Sequence, residues 1–276
     1  DLTWVAGAMY VGNYKRFLFA PSTFTGGLEY QHNALHDIMV GYQRDMMQDV
    51  RIASAFVQNE WKLRDFTLLA GGRMDKHNLI ESPILSPRVN LLYKPQDKFQ
   101  ARVTYSTGFR APQAYDEDLH VTAVGGEGVL IKLADGLREE RSNSFSGSVD
   151  YTTSFGHWQA NVLVEGFYTG LNNVFVLEDI GHDANGYAIK ERRNGSGARV
   201  YGANLDAKIA HGKEAVLSLG FTAQRSRYNQ PEEWSEGQFT SRMMRTPDYY
   251  GYFTFTSAPV KNFDFSLSGT YTGEMI

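Results

Sequence analysis

The sequence predicts an all-β fold, an antiparallel up-and-down sheet bent into the wall of a barrel. Three observations predict it: alternation of apolar and polar residues, aromatic-rich composition, and short connections that trade places with long ones. Phe99, Ala101, Val103 and Tyr105 share one parity, while Gln100, Arg102, Thr104 and Ser106 share the other. Successive strand side chains point to opposite faces, so such a segment has one apolar and one polar face. The same holds for Tyr201, Ala203, Leu205, Ala207 and Ile209 against Gly202, Asn204, Asp206 and Lys208. It holds again for Phe263, Phe265, Leu267, Gly269 and Tyr271, and for Phe66, Leu68, Ala70, Gly72 and Met74. Sixteen Tyr and 17 Phe in 276 residues are the residues that strands favour.

Thirteen strands are expected, over 1–11, 22–31, 36–43, 51–63, 66–75, 86–94, 99–110, 141–153, 158–178, 187–209, 214–228, 247–257 and 262–272. Short connections fall at 32–35, 64–65, 95–97, 154–156, 210–213 and 258–260, and long ones at 12–21, 44–50, 76–85, 111–140, 179–186 and 229–246. Strict alternation puts every short turn at one end of the sheet and every long loop at the other. Transmembrane β-barrels are built this way.

A large soluble sandwich or propeller would also alternate. The placement of aromatics separates the two. Trp158 and Tyr168 bracket Ala160, Val162, Val164 and Gly166 on one parity. Ten residues at about 3.3 Å each, tilted about 45°, project to roughly 23 Å, near the height of a lipid-facing band. Aromatics at both ends with small aliphatics between them form the two girdles of a membrane strand. Phe263 and Tyr271 repeat the arrangement. A soluble core places its aromatics in the middle more often.

Other classes are excluded by composition. A net charge of −4 argues against nucleic acid as a partner, since phosphate binding needs a basic surface. Without cysteine there are no disulfides, Cys-ligated metals or thiol catalysis. No stretch approaches 18 consecutive apolar residues, which rules out a membrane helix. Asp1-Leu2-Thr3-Trp4 lacks the basic start and apolar run of a signal peptide, so mature or excised material is expected.

Ser106-Thr107-Gly108-Phe109-Arg110-Ala111-Pro112 resembles the FRAP-type segment of TonB-dependent outer-membrane receptors. Gly71-Gly72-Arg73-Met74-Asp75 followed by Ser86-Pro87-Arg88-Val89 is similar to the family's G-x-R-x-D…SPR strand pair. Ala55-Phe56-Val57-Gln58-Asn59-Glu60-Trp61 resembles the strand before it. Leu137-Arg138-Glu139-Glu140-Arg141-Ser142 resembles the L-x-P-E-x-S segment with its proline replaced. The likeness runs in order from about residue 50 to 210. It implies active import through a barrel of roughly 22 strands, closed by a plug and energised by the TonB complex. The whole of 1–276 is then expected to be part of one transmembrane barrel domain without its plug, an interior portion of a longer receptor in the bacterial outer membrane.

Candidate site residues follow from loops and parity. Arg110 shares the lumenal parity of Arg102, and Pro112 ends strand pairing because it has no N–H. The FRAP motif is expected to be structural and to locate the loop after it. Gly71 and Gly72 are expected to permit close approach within the wall. Gly125-Gly126-Glu127-Gly128 lacks the lysine and the strand-to-helix setting of a nucleotide loop. In loop 111–140, Tyr115, Asp116, Glu117, Asp118 and His120 crowd three carboxylates and an imidazole together. A solvated extracellular loop or a contact with the plug is the plainer reading. Asp116, Asp118 and His120 are candidate ligands for a hard cation such as Ca²⁺. The resemblance adds that haem importers of the family use a histidine between FRAP and an NPNL segment. Here His120 is present, but Ala134-Asp135-Gly136-Leu137 stands where NPNL would. Met46, Met47, Met243 and Met244 are expected in long loops, where thioethers could meet soft ions or apolar ligands. Tyr228 and Trp234 are expected as aromatic contacts at the mouth.

The functional expectation is therefore a non-enzymatic import receptor for a bulky, scarce metal chelate: a siderophore, haem or cobalamin. Its partners would be outer-membrane lipid, the TonB complex, the chelate and, as a further candidate, a surface lipoprotein. No bound cofactor is expected. The alternatives are a passive porin-type channel and a soluble β-rich binding protein.

Overall fold

The computed structural model describes residues 2–40, 44–112, 129–182, 184, 186, 188–235, 237–260 and 262–276. Sixteen strands account for most of them: β1 (Leu2–Phe17), β2 (Ala20–Met39), β3 (Arg44–Leu63), β4 (Phe66–His77), β5 (Ile84–Gln96), β6 (Phe99–Arg110), β7 (Val129–Leu133) and β8 (Glu140–Phe155), then β9 (Trp158–Asn172), β10 (Phe175–His182), β11 (Ala188–Asn194), β12 (Ala198–His211), β13 (Ala215–Ser235), β14 (Gln238–Arg242), β15 (Tyr249–Val260) and β16 (Phe263–Thr272). The main sheet runs β1-β2-β3-β4-β5-β6-β8-β9-β12-β13-β15-β16, with β14 beside β13. Each main neighbour pair is antiparallel and next in chain order once the insertions β7, β10, β11 and β14 are set aside. A smaller sheet has the order β10-β11-β7.

Register shows how the strands tilt. Leu63 pairs with Phe66, and the row continues through Tyr93, Ala101, Val149, Val164, Leu205, Phe221 and Gly251 to Tyr271. Every member is apolar or glycine. The row starts beside the short turn at 64–65 and ends near the opposite end of β16. The next row, Thr67, Leu92, Arg102, Ser148, Glu165, Asn204 and Thr222, is mostly polar.

Exposure settles which face meets what. In β9, Val162, Val164, Gly166 and Tyr168 are exposed, while Asn161, Leu163, Glu165 and Phe167 are half-buried. β8 and β12 repeat the pattern. Val103, Leu205 and Leu267 are 61%, 44% and 51% exposed, so no second protein layer covers them. A soluble sandwich requires its apolar parity to be the sheltered one, and the soluble alternative fails on this reversal. Among the described residues β1 and β16 each pair on one side only, and the sheet does not close on itself.

The sequence expectations err in the first three strands and in two later ones. The expected strands 22–31 and 36–43 are one strand, β2, and the expected turn 32–35 lies inside it. Asn33 pairs with Thr3 on one side and Val50 on the other. The expected loop 12–21 is a two-residue turn at Leu18 and Phe19, where Leu18 takes a φ of 64°. The expected loop 44–50 belongs to β3. Downstream, 158–178 divides into β9 and β10, and 187–209 divides into β11 and β12.

The cause is strand length. β2, β3 and β13 have 20, 20 and 21 residues. Such strands rise about 47–49 Å at a 45° tilt, roughly twice the apolar band. Beyond the band neither face meets lipid and alternation fades, although pairing continues. With β2 restored to one strand its connection to β3 is only 40–43, and from β3 onward short and longer connections still alternate.

Gly71 behaves as expected. A Cβ there would lie 2.5 Å from Gln58 Cβ and 2.6 Å from the Val57 carbonyl oxygen. A Cβ on Gly72 would meet nothing closer than 3.9 Å, so only the first glycine is required by close approach.

Candidate functional site

The polar parity builds hydrogen-bonded rows on the inner face. Asn204 donates to Glu165 at 3.0 Å and accepts from Thr222 at 2.9 Å, joining β9, β12 and β13. Gln100 and Asn161 donate to the Asp150 carboxylate from the strands on either side of β8. Asn90 donates to Thr104 at 2.7 Å.

A tighter cluster spans β2, β3 and β4. Arg73 Nε donates to Asp75 Oδ1 at 2.7 Å, and its Nη2 reaches Glu29 Oε1 at 2.8 Å and Ser54 Oγ at 2.7 Å. Ser54 donates to the same Asp75 oxygen at 2.6 Å. Asp75 is only 2% exposed, and a carboxylate so deeply placed needs these partners. Arg73 and Ser86, the R and S of the strand-pair motif, are register partners. At the end of β4 the fully buried His77 accepts from the Leu79 N–H through Nδ1, which places the neutral ring's proton on Nε2. That Nε2 has no hydrogen-bond partner among the described residues.

The small sheet makes a crown at the long-connection end. β10 pairs antiparallel with β11, and β11 pairs parallel with β7. The crown is tied to the wall through Glu140 at the start of β8. Glu140 Oε1 accepts from the Phe175 N–H, and Oε2 lies 3.5 Å from Arg110 Nη1. Asn194 reinforces the joint, donating to the carbonyls of Arg138 and Asn173 at 2.9 and 2.8 Å. The guanidiniums of Arg110 and Arg192 lie 5.5 and 6.0 Å from the centre of the Phe175 ring. Arg192 is 2% exposed. The buried Arg192 braces the ring from within the crown, while Arg110, its side chain 46% exposed, keeps a cation and an aromatic face together at the mouth.

Arg110 lies in this crown, and Tyr228 is near enough to its partner Glu140 to feel that charge. Tyr228 has the inner parity of β13, and burial, with help from Glu232 and Glu140, pushes its phenol above the ordinary range. Trp234 does not lie on a loop but in the long upper part of β13, where it is 45% exposed. Met47 sits in β3 rather than a loop and is 73% exposed, opposite His36. Met46 is also in β3, and its side chain lies outside the described residues. The expected loop 229–246 holds the end of β13 and all of β14; Met243 and Met244 lie in the connection after β14, and Met243 N–H donates to the Ser226 carbonyl at 3.2 Å. Tyr115, Asp116, Glu117, Asp118 and His120 lie outside the described residues. Sequence reasoning missed Phe175, Arg192 and the Arg73 cluster. The spacing Arg73-x-Asp75 puts both on one strand face and could have found the last.

Comparison with known proteins gives this geometry a family. A family model described as TonB dependent receptor-like, beta-barrel matches residues 3–275. The chain belongs to that family. The chain is 29% identical over 217 residues to an iron-regulated outer membrane virulence protein of Vibrio cholerae serotype O1, covering 76% of this chain and 32% of the relative. The siderophore receptor PirA of Pseudomonas aeruginosa superposes with a TM-score of 0.75 at 17% identity, over 98% of this chain and 48% of that one. A ferric enterobactin receptor (PfeA) mutant from Pseudomonas aeruginosa, solved in complex with enterobactin, gives 0.70 at 18% identity, over 98% and 42%. The chain thus spans about a third of its curated relative and under half of these TonB-dependent receptor chains. The motifs that suggested the family are contact pairs in the fold: Arg110 with Glu140, and Arg73 with Ser86 and Asp75.

Proposed function

We propose that this chain forms wall and mouth of an outer-membrane receptor that imports a ferric chelate of the siderophore class, driven by the TonB complex. The observation that carries the reading is the crown, where the half-exposed Arg110 lies 5.5 Å from the centre of the Phe175 ring and the buried Arg192 backs that ring at 6.0 Å. Ferric chelates with catecholate arms are bulky, anionic and rich in π surface. Guanidiniums stacked on an aromatic ring offer charge and flat contact at once. The names of the relatives, an iron-regulated outer membrane protein and a siderophore receptor, support the same class.

The mechanism needs no covalent chemistry. The crown captures the chelate, and the polar rows of Glu165, Asn204, Thr222 and Asp150 line its path with groups that exchange hydrogen bonds with it. The wall is one part of a larger barrel, a reading supported by the singly paired β1 and β16 and by the shares of the relatives covered. The remaining strands and a plug would come from the rest of a longer receptor.

The test uses the full-length receptor in cells starved of iron. Uptake of a radiolabelled ferric catecholate should require TonB, and Phe175→Ala should weaken chelate binding about tenfold, the scale of a lost cation–π and stacking contact. Uptake that is independent of energy would replace the receptor reading with a passive channel.

A further inference from the structure

The outer face of the wall carries a second set of arginines, on the opposite side from the crown. Arg225 and Arg227 share the parity of Leu219 and Phe221, which are 43% and 46% exposed on the apolar face. Register places Arg225 opposite Tyr201, and Arg227 between Arg199 and Arg242. Three arginines therefore form one row across β12, β13 and β14. This row stands directly beyond the stacked rings of Tyr168 and Tyr201, 6.5 Å apart. The guanidiniums of Arg225, Arg227 and Arg242 converge on one carboxylate, Asp248, at 3.2, 3.5 and 3.6 Å. Arg225 also lies 5.1 Å from the ring centre of Tyr249 and donates to its hydroxyl at 2.9 Å.

One carboxylate against four guanidiniums leaves surplus positive charge on a wall that faces lipid. Within the apolar band such charge is costly, whereas at the interface it meets headgroup phosphates. The tyrosine row marks that interface. Asp248 holds Arg225, Arg227 and Arg242, Arg199 continues the row beside them, and guanidiniums present fork-shaped donors suited to phosphate oxygens. We propose that Arg199, Arg225, Arg227 and Arg242 form a docking shelf for the phosphate groups of an outer-leaflet glycolipid headgroup. The acyl chains of that lipid lie below it, along Phe221, Leu205 and Val164. This inference rests on the reading that the wall stands in the outer membrane with its long connections outward.

The test uses the full-length receptor reconstituted in vesicles containing bisphosphorylated lipid A, with retained glycolipid counted by native mass spectrometry. The unaltered receptor should retain it. Combined Arg199→Gln, Arg227→Gln and Arg242→Gln should lower retention at least about tenfold, the scale of lost charged hydrogen bonds, with ferric chelate binding unchanged. Fully dephosphorylated lipid A should not be retained, and millimolar inorganic phosphate should not displace the glycolipid. Equal retention by the variant, equal retention of the dephosphorylated lipid, or displacement by inorganic phosphate would overturn the shelf. So would dimers cross-linked through Arg199→Cys in place of glycolipid retention. If the triple variant does not insert, Arg199→Gln alone must lower retention at least about threefold, and no loss overturns the proposal. Phosphate-dependent retention by a receptor that takes up no ferric chelate would sink the import reading and leave this one standing.

Discussion

Arg110 and Glu140 face each other across β6 and β8, with Nη1 3.5 Å from Oε2, and the same carboxylate takes the N–H of Phe175. Two sequence motifs thirty residues apart thus close the base of the crown. Glu140 carries more of that joint than Arg110, because removing it orphans a backbone donor as well as a cation. Glu140→Ala should destabilise the crown by about 1–3 kcal/mol, and Arg110→Ala by less. Hydrogen exchange over 173–197 should rise in the first variant while the wall stays protected. Equal protection in both variants would show that Glu140 does not anchor β10.

The two faces of one strand pair should respond oppositely to charge. Leu205 is on the apolar face and Asn204 on the polar one. Leu205→Arg should cost about 2–4 kcal/mol of folding into bilayers if it lies at mid-depth. Asn204→Lys should be tolerated, since the ammonium keeps a donor for Glu165 among groups already wet. Urea titration of the full-length receptor in vesicles measures both.

Gly71 is held by its neighbours rather than by its dihedral angles. Gly71→Val should cost about 1–3 kcal/mol, because the branched carbon would push against the Val57 carbonyl and Gln58. Gly72→Ala, on the open side, should be near neutral. Lowered melting temperature of the folded band in gel-shift assays distinguishes the two.

Acid should loosen the β2–β3 hairpin above the lipid band. The His32 hydrogen bond, opposed in part by desolvation and aided by Arg51, holds Asp49 below the ordinary carboxylate range. The folded state therefore binds the Asp49 proton less readily than the unfolded chain does. Its contribution is complete above the unfolded pKa and is lost as pH falls through the lower folded value. Amide protection around 45–51 should be flat from pH 5 to 8 and drop below about pH 4. Asp49→Asn should abolish that drop.

Alternation was readable wherever one face meets lipid and the other a wet lumen. Residues 99–106 and 201–209 read correctly because each parity has a single environment. Residues 32–35 and 44–50 misread because polar and apolar residues mix on both parities there, and hydropathy carries no trace of the hydrogen bonds that continue through them. The candidate site was legible only where a motif or a place near the mouth marked it. Arg110 was found through FRAP, and Tyr228 through its place near the mouth. Arg192 and Phe175 had no periodic signal, since β10 and β11 are too short and irregular to show one. Arg225 and Arg227 hid in plain view, two charges at strand spacing on a parity that was apolar below them.

The row from Leu63 to Tyr271 crosses nine strand gaps of about 4.8 Å, and at a 45° tilt it climbs roughly 30 Å. It therefore links the short-turn side of β3 and β4 to the far rim of β16 through one diagonal line of backbone bonds. Tension on the base of the β3–β4 hairpin is delivered sideways and upward, to the edge near Tyr271, rather than to the tip of its own hairpin. The wall acts as a braced lattice, and a pull from the inner side is felt outside at a place many strands away.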